Sequence, residues 1–160
     1  MALARRLSRL LSAAILSVAP VAAAQSLQGT WVLDLKASQN VPDAQKGVDL
    51  KVTIRGNEMT ILREVAGKTI GTPLLYRLDG VTRQMDVGGG QQAAVEARWL
   101  IRSSTVQQVI KMPTPGSLTL AVQTTVMEVS PDGNTLKRAQ TLAQAGETTD
   151  RTMVYRRKAE

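Results

Sequence analysis

Apolar and polar residues alternate along most of this chain. Val48, Leu50, Val52 and Ile54 interleave with Asp49, Lys51, Thr53 and Arg55. Ala93, Val95, Ala97, Trp99 and Ile101 interleave with Ala94, Glu96, Arg98, Leu100 and Arg102. Leu118, Leu120 and Val122 do the same with Thr119, Ala121 and Gln123. A period of two puts successive side chains on opposite faces of an extended backbone, so each run predicts a strand with one face in and one out. Turn-forming residues separate the runs: Gly56-Asn57, Gly67-Lys68, Asp79-Gly80, Gly88-Gly89-Gly90, Ser103-Ser104, Pro113-Thr114-Pro115-Gly116, Pro131-Asp132-Gly133-Asn134 and Ala145-Gly146. Val, Ile, Leu and Thr dominate between them, as strands prefer. The pattern predicts about ten strands, at roughly 29–35, 48–55, 58–66, 69–78, 81–87, 93–102, 105–112, 117–129, 135–142 and 148–157. The one long connection, Lys36 to Gly47, is polar, contains Pro42, and reads as a loop or a short helix. No other stretch shows helical periodicity, and there is no internal repeat.

The fold class is therefore all-β, an antiparallel up-and-down meander. Such a series must hide its edge strands, and closure into a barrel of eight to ten strands does so. A barrel of that size has an interior filled by side chains or holding one small ligand. A two-sheet sandwich is the alternative, but sandwiches usually need crossovers, and only one long connection is present.

The start of the chain departs from this pattern. Arg5, Arg6 and Arg9 precede a mostly apolar run from Leu10 to Ala24, and Ala22-Ala23-Ala24 offers small residues for cleavage before Gln25. This predicts a cleaved secretory signal peptide at 1–24 and a single domain at 25–160. The apolar run is about 15 residues, short of the roughly 20 a spanning helix needs. Arg5-Arg6 is a weak hint of the twin-arginine route. Removing residues 1–24 takes away three arginines and no acid, so the formal charge falls from +7 to +4 and 136 residues remain. That length suffices for one hydrophobic core. The address this implies is outside the cytoplasm, in a bacterial periplasm or beyond.

Composition then removes whole classes of chemistry. The chain has no Cys, His or Phe, and its aromatic residues are Trp31, Tyr76, Trp99 and Tyr155. Disulfides, thiolate nucleophiles, Ser-His-Asp triads and the usual zinc sites are excluded. Four aromatics do not make a base-stacking platform, and the basic residues are dispersed, so no nucleic-acid partner is expected. No cofactor, metal or stable membrane anchor is expected either, and nothing in the sequence sets the oligomeric state.

The remaining chemistry lies in polar residues that share a face with apolar ones. Arg63 alternates with Met59, Ile61 and Val65, and Arg83 with Val81, Met85 and Val87. Gln108 alternates with Val106, Ile110 and Met112; Arg138 and Gln140 alternate with Leu136 and Leu142; Tyr76 alternates with Ile70, Leu74 and Leu78. If these faces line a lumen, it is aliphatic with basic and amide groups. A buried arginine is costly unless paired. A ligand carboxylate or phosphate is one partner; otherwise these arginines reach solvent or pair with Glu64, Asp86 or Glu128. Met59, Met85, Met112, Met127 and Met153 read as core filler in a chain without Phe. The glycine run at 88–90 lacks the Lys and Ser/Thr of a phosphate loop. Asp132-Gly133-Asn134 lacks the further ligands of a calcium loop.

Gly29-Thr30-Trp31-Val32-Leu33-Asp34, with Ser38 a few residues on, resembles the start of a group of small bacterial secreted proteins, lipocalin-like (calycin-type) β-barrels with no common chemistry. Asp79-Gly80, Ser130-Pro131-Asp132-Gly133-Asn134-Thr135-Leu136 and Val154-Tyr155-Arg156 match its later landmarks. The resemblance implies a lipocalin-like barrel in which Trp31, after Gly29, plugs one end and a basic residue of the last strand, Arg156 or its neighbour Arg157, packs across the indole. The expected function is binding of a small apolar or anionic amphiphilic molecule inside the barrel, with Arg63, Tyr76, Arg83, Gln108, Arg138 and Gln140 as lumen candidates and no enzymatic activity. Two alternatives stand beside it. One is a filled barrel acting through its surface, at the 36–47 connection and the basic C-terminus. The other is a barrel-type enzyme using Arg, Tyr and carboxylate.

Overall fold

The computed structural model describes residues 26–87, 90–114 and 119–159. The expected signal peptide, Gly88-Gly89 and the first residues of the 117–129 run lie outside them. Ten strands form: β1 (Gly29–Leu33), β2 (Asp49–Arg55), β3 (Glu58–Val65), β4 (Lys68–Arg77), β5 (Arg83–Asp86), β6 (Gln92–Ile101), β7 (Thr105–Pro113), β8 (Leu120–Val129), β9 (Thr135–Gln144) and β10 (Glu147–Arg157). The 36–47 connection contributes one 3₁₀ turn, Asp43–Gln45.

All ten strands join one antiparallel sheet in the order β4-β3-β2-β1-β10-β9-β8-β7-β6-β5. Every pair of consecutive strands is adjacent in the sheet except β4 and β5, and the one non-consecutive pairing is β1 with β10, which excludes the sandwich. The first and last strands pair, Trp31 opposite Arg157 and Leu33 opposite Tyr155, and this curls the meander into a barrel. The consecutive strands β4 and β5 instead form the two edges of the sheet. Between them the chain leaves the ladder and bridges to β6 at Asp79 and Arg98.

Hairpin turns follow from local chemistry. Ala66-Gly67 joins β3 to β4 and Ala145-Gly146 joins β9 to β10, all four residues with positive φ. A two-residue turn of that kind matches the right-handed twist of the strands it connects. The connection after β1 is tied down by Ser38. Its hydroxyl donates to the Asp34 carbonyl at 2.7 Å and accepts from the Val154 N–H at 2.9 Å. The conspicuous Ser after the Gly-x-Trp opening therefore fastens this connection to β10.

The inward faces carry the core. Trp31, Met59, Val106, Met127, Leu136 and Met153 are fully buried, while Met85 and Met112 pack against that core partly exposed. Methionine fills the interior irregularities that phenylalanine would otherwise occupy.

Trp31 closes one end of the barrel. Its Nε1–H donates to the Leu27 carbonyl at 2.9 Å. The Arg157 guanidinium lies over the indole, 4.2 Å from the ring centroid. The same guanidinium donates to the carbonyls of Ser26, Gln28 and Gly133 at 2.6–2.8 Å. Gly29 permits this approach: its φ is +143°, and a Cβ there would sit 2.5 Å from Arg157 Nη1. This corrects the assignment of Arg156 to the barrel end. Arg156 stands opposite Val32, which faces outward, and its guanidinium binds Asp34 Oδ2 at 3.1 Å and Thr135 Oγ1 at 2.9 Å. Alternation along β10 explains the difference, because Met153, Tyr155 and Arg157 share the inner face.

Candidate functional site

A cavity of about 100 Å³ opens inside the barrel, bounded by Leu50, Ile61, Ile70 and Leu74 on the apolar side and roofed by Ala44 and Gln45 of the 3₁₀ turn. Besides Gln45, five polar residues on the strands line it: Arg63, Tyr76, Gln108, Arg138 and Tyr155.

Each is placed by its strand. Arg138 on β9 stands between Met127 of β8 and Met153 of β10, both fully buried, so its stem passes through the core. Its guanidinium faces the cavity together with the Tyr155 hydroxyl, and its charge opposes the rise of that phenol's pKa. The hydroxyl donates to Met153 Sδ at 3.7 Å. Arg63 on β3 lies at the mouth and is exposed. The ladder shifts between Ile61 and Arg63, where Leu62 alone faces Gly71, Thr72 and Pro73. The bulge needs the positive φ of Gly71 (+67°), and a Cβ there would sit 2.6 Å from Arg63 Nη2. Glycine therefore gives Arg63 the room to lie across β4. Among the described residues, neither Arg63 nor Arg138 has a carboxylate within ion-pair distance.

A second polar feature crosses the floor. Gln108 of β7, Thr125 of β8 and Gln140 of β9 stand directly opposite one another, all buried. Gln140 Nε2 donates to Thr125 Oγ1 at 3.5 Å. Gln108 Nε2 and Gln140 Oε1 have no partner. A buried polar atom without a partner carries a desolvation cost of about 1–3 kcal/mol, so this row is a place where a polar guest is favoured.

The electrostatics are those of a neutral hydroxyl pair beside two arginines that have no carboxylate partner among the described residues. Burial raises the pKa of Tyr76 and Tyr155 above the ordinary phenol value, and nearby arginines oppose that shift only in part. Both phenols are therefore protonated at neutral pH and able to donate a hydrogen bond. Among the described residues no group of His, Cys, Asp and Glu is arranged to hold a metal ion.

Of the six lumen candidates, Arg63, Tyr76, Gln108 and Arg138 meet at this cavity, and Gln140 lies buried in the row beside it. Arg83 does not join them. It shares a face with Met85, but Asp79 captures it with two bonds of 2.7 Å. This pairing is the largest cause of the Asp79 pKa falling to about 2. Its partner is thus the turn residue four positions back, not Glu64, Asp86 or Glu128. Tyr155 is the lining residue that the face-by-face reading did not select. Its signal is the alternation Met153-Tyr155-Arg157.

Known structures of similar shape bear on this geometry. A Schistosoma mansoni fatty acid binding protein in complex with arachidonic acid superposes with TM-score 0.58 at 20% identity, over 82% of this chain and 96% of that one. A fatty-acid-binding protein from brain tissue of Drosophila melanogaster gives TM-score 0.56 at 17% identity, over 80% and 96%. Apo lipid binding protein 8 of Caenorhabditis elegans gives 0.61 at 7% identity, over 86% and 99%. Likeness at such low identity concerns the fold, and it defines the class: a calycin-like antiparallel β-barrel. No protein-family model and no curated protein matches the chain.

Proposed function

We propose that this barrel binds a small anionic amphiphile, its carboxylate held by Arg138 and Arg63 with the Tyr76 and Tyr155 hydroxyls, its apolar part against Leu50, Ile61 and Leu74. The observation that carries this reading is the pair of arginines facing one cavity without carboxylate partners among the described residues. A guanidinium beside a cavity recovers the cost of its partial burial when an oxyanion enters, and charge-assisted bonds are the stronger class. Solved structures of the same fold include proteins described as binding fatty acids or lipids, which supports a ligand-binding interior. The phenols lack any base partner among the described residues, and a binding role accounts for them without catalysis. A cavity of this kind also favours binding over a filled barrel that acts only through its surface.

We further propose that the chain is exported, because its basic, apolar and small-residue stretches over residues 5–24 follow the order of a secretory signal. N-terminal sequencing of protein recovered from the producing cell checks this, and an intact Met1 overturns it.

The binding reading is tested by calorimetric titration with hexanoate and with hexan-1-ol. The acid binds at least tenfold tighter than the alcohol, as a charge-assisted bond of about 1.5–3 kcal/mol requires. Equal affinities, or binding of neither, overturn it.

A further inference from the structure

Resting on that reading, we infer that the cavity selects a short carboxylic acid of about four carbons, with a hydroxyl at the end remote from the carboxylate, over a long-chain fatty acid.

Size sets the first limit. The cavity measures about 100 Å³. An engineered apolar cavity of about 150 Å³ holds one benzene, six heavy atoms, and pockets for larger organic ligands measure about 300–1,000 Å³. Enlarging the cavity inward means displacing Met127, Met153, Leu136 and Val106, all fully buried in the core. On the scale set by benzene, about 100 Å³ holds about four heavy atoms, so the four carbons of butanoate match it while most of a palmitate tail stays outside.

The second limit comes from the polar floor. Arg138 and Gln140 are two residues apart on the inner face of β9, about 7 Å along the strand. Gln108 continues the Gln140 row two strands away and faces the cavity. An acid anchored at Arg138 therefore points its other end toward a buried amide N–H, that of Gln108, which is 2% exposed and unpartnered. A methyl group there leaves the donor unsatisfied; a hydroxyl oxygen accepts from it. Sites built to hydrogen-bond one substrate hydroxyl discriminate strongly against the analogue lacking it.

The experiment is a titration of the full barrel with butanoate, 4-hydroxybutanoate, octanoate and palmitate, followed by calorimetry or amide chemical shifts. Burying each CH₂ is worth about fourfold in affinity. Four further carbons gain far less than the corresponding product on going from butanoate to octanoate, and palmitate gains nothing more. 4-Hydroxybutanoate binds at least fivefold tighter than butanoate, the expected effect of pairing a buried donor. In Gln108→Leu, verified as folded by its melting transition, this preference reverses, because the apolar side chain favours the methyl end. Gln140→Leu serves as a second variant that alters the row without touching the group facing the cavity, and it keeps the hydroxyl preference.

Affinity that climbs steadily to palmitate, or equal affinity for butanoate and its hydroxy derivative, overturns the inference while leaving carboxylate binding intact. Failure of hexanoate to outbind hexan-1-ol is the separate result that removes the underlying reading.

Discussion

Methionine in place of Arg138 is expected to weaken carboxylate binding by about 10- to 150-fold while leaving the unliganded barrel as stable as before, or more so. The affinity loss corresponds to removing a charge-assisted interaction worth about 1.5–3 kcal/mol. The stability result has the opposite sign for a physical reason. Arg138 stands between two fully buried methionines, and no carboxylate balances its charge among the described residues. A partly buried cation without a counterion costs folding free energy, and an apolar side chain of similar length removes that cost. The Tyr155 hydroxyl keeps its contact with Met153 Sδ in the variant. Titration of wild type and variant with hexanoate, together with urea unfolding of both, checks the two halves. A variant that binds normally removes Arg138 from the site. A variant that loses affinity and also unfolds far more easily makes the arginine a structural residue.

The second large effect lies at the other end of the barrel. Trp31→Ala is expected to lower the unfolding free energy by about 3–5 kcal/mol, the range for deleting a fully buried large aromatic. Trp31 has no exposed surface and is the platform for Arg157. Without the indole, the guanidinium that joins the carbonyls of Ser26, Gln28 and Gly133 loses its contact surface. Since total stability of such domains is commonly about 5–15 kcal/mol, the variant is marginal at best. Urea unfolding followed by fluorescence of the remaining Trp99 measures it. A loss below about 1 kcal/mol means the barrel closes without this plug.

The strands were legible because the period of two is a direct imprint of a half-buried sheet, and because Gly, Asn and Asp mark turns for steric reasons. Barrel closure was legible as a way of hiding edges. The unladdered seam between β4 and β5 was not, since alternation runs through both strands unchanged. What side chains do at the ends of strands was also harder to read. Parity places Arg83 beside Met85, and that holds; its capture by Asp79 depends on how the chain turns at Gly80, which alternation does not encode. Parity placed Arg63 and Arg138 alike, yet one is exposed at the mouth and the other is rooted between methionines. Depth along the barrel axis makes that difference. Arg156 against Arg157 was a matter of counting from Tyr155, whose burial fixes the inner face of β10.

The pairing of β1 with β10 carries a cost in time. Residues paired across the two strands lie more than 120 positions apart in sequence, Leu33 opposite Tyr155 and Trp31 opposite Arg157; beside them Asp34 meets Arg156 across a separation of 122, and Ser26 meets Arg157 across 131. The other ladders join consecutive strands and close over much shorter loops; this one pairing must lose the entropy of a loop spanning nearly the whole barrel before its contacts repay it, which slows folding. Until β10 docks, β1 has only β2 beside it, with one edge open. Of the ten strands, the one bearing the plug is first in chain order, and the one that completes it is tenth.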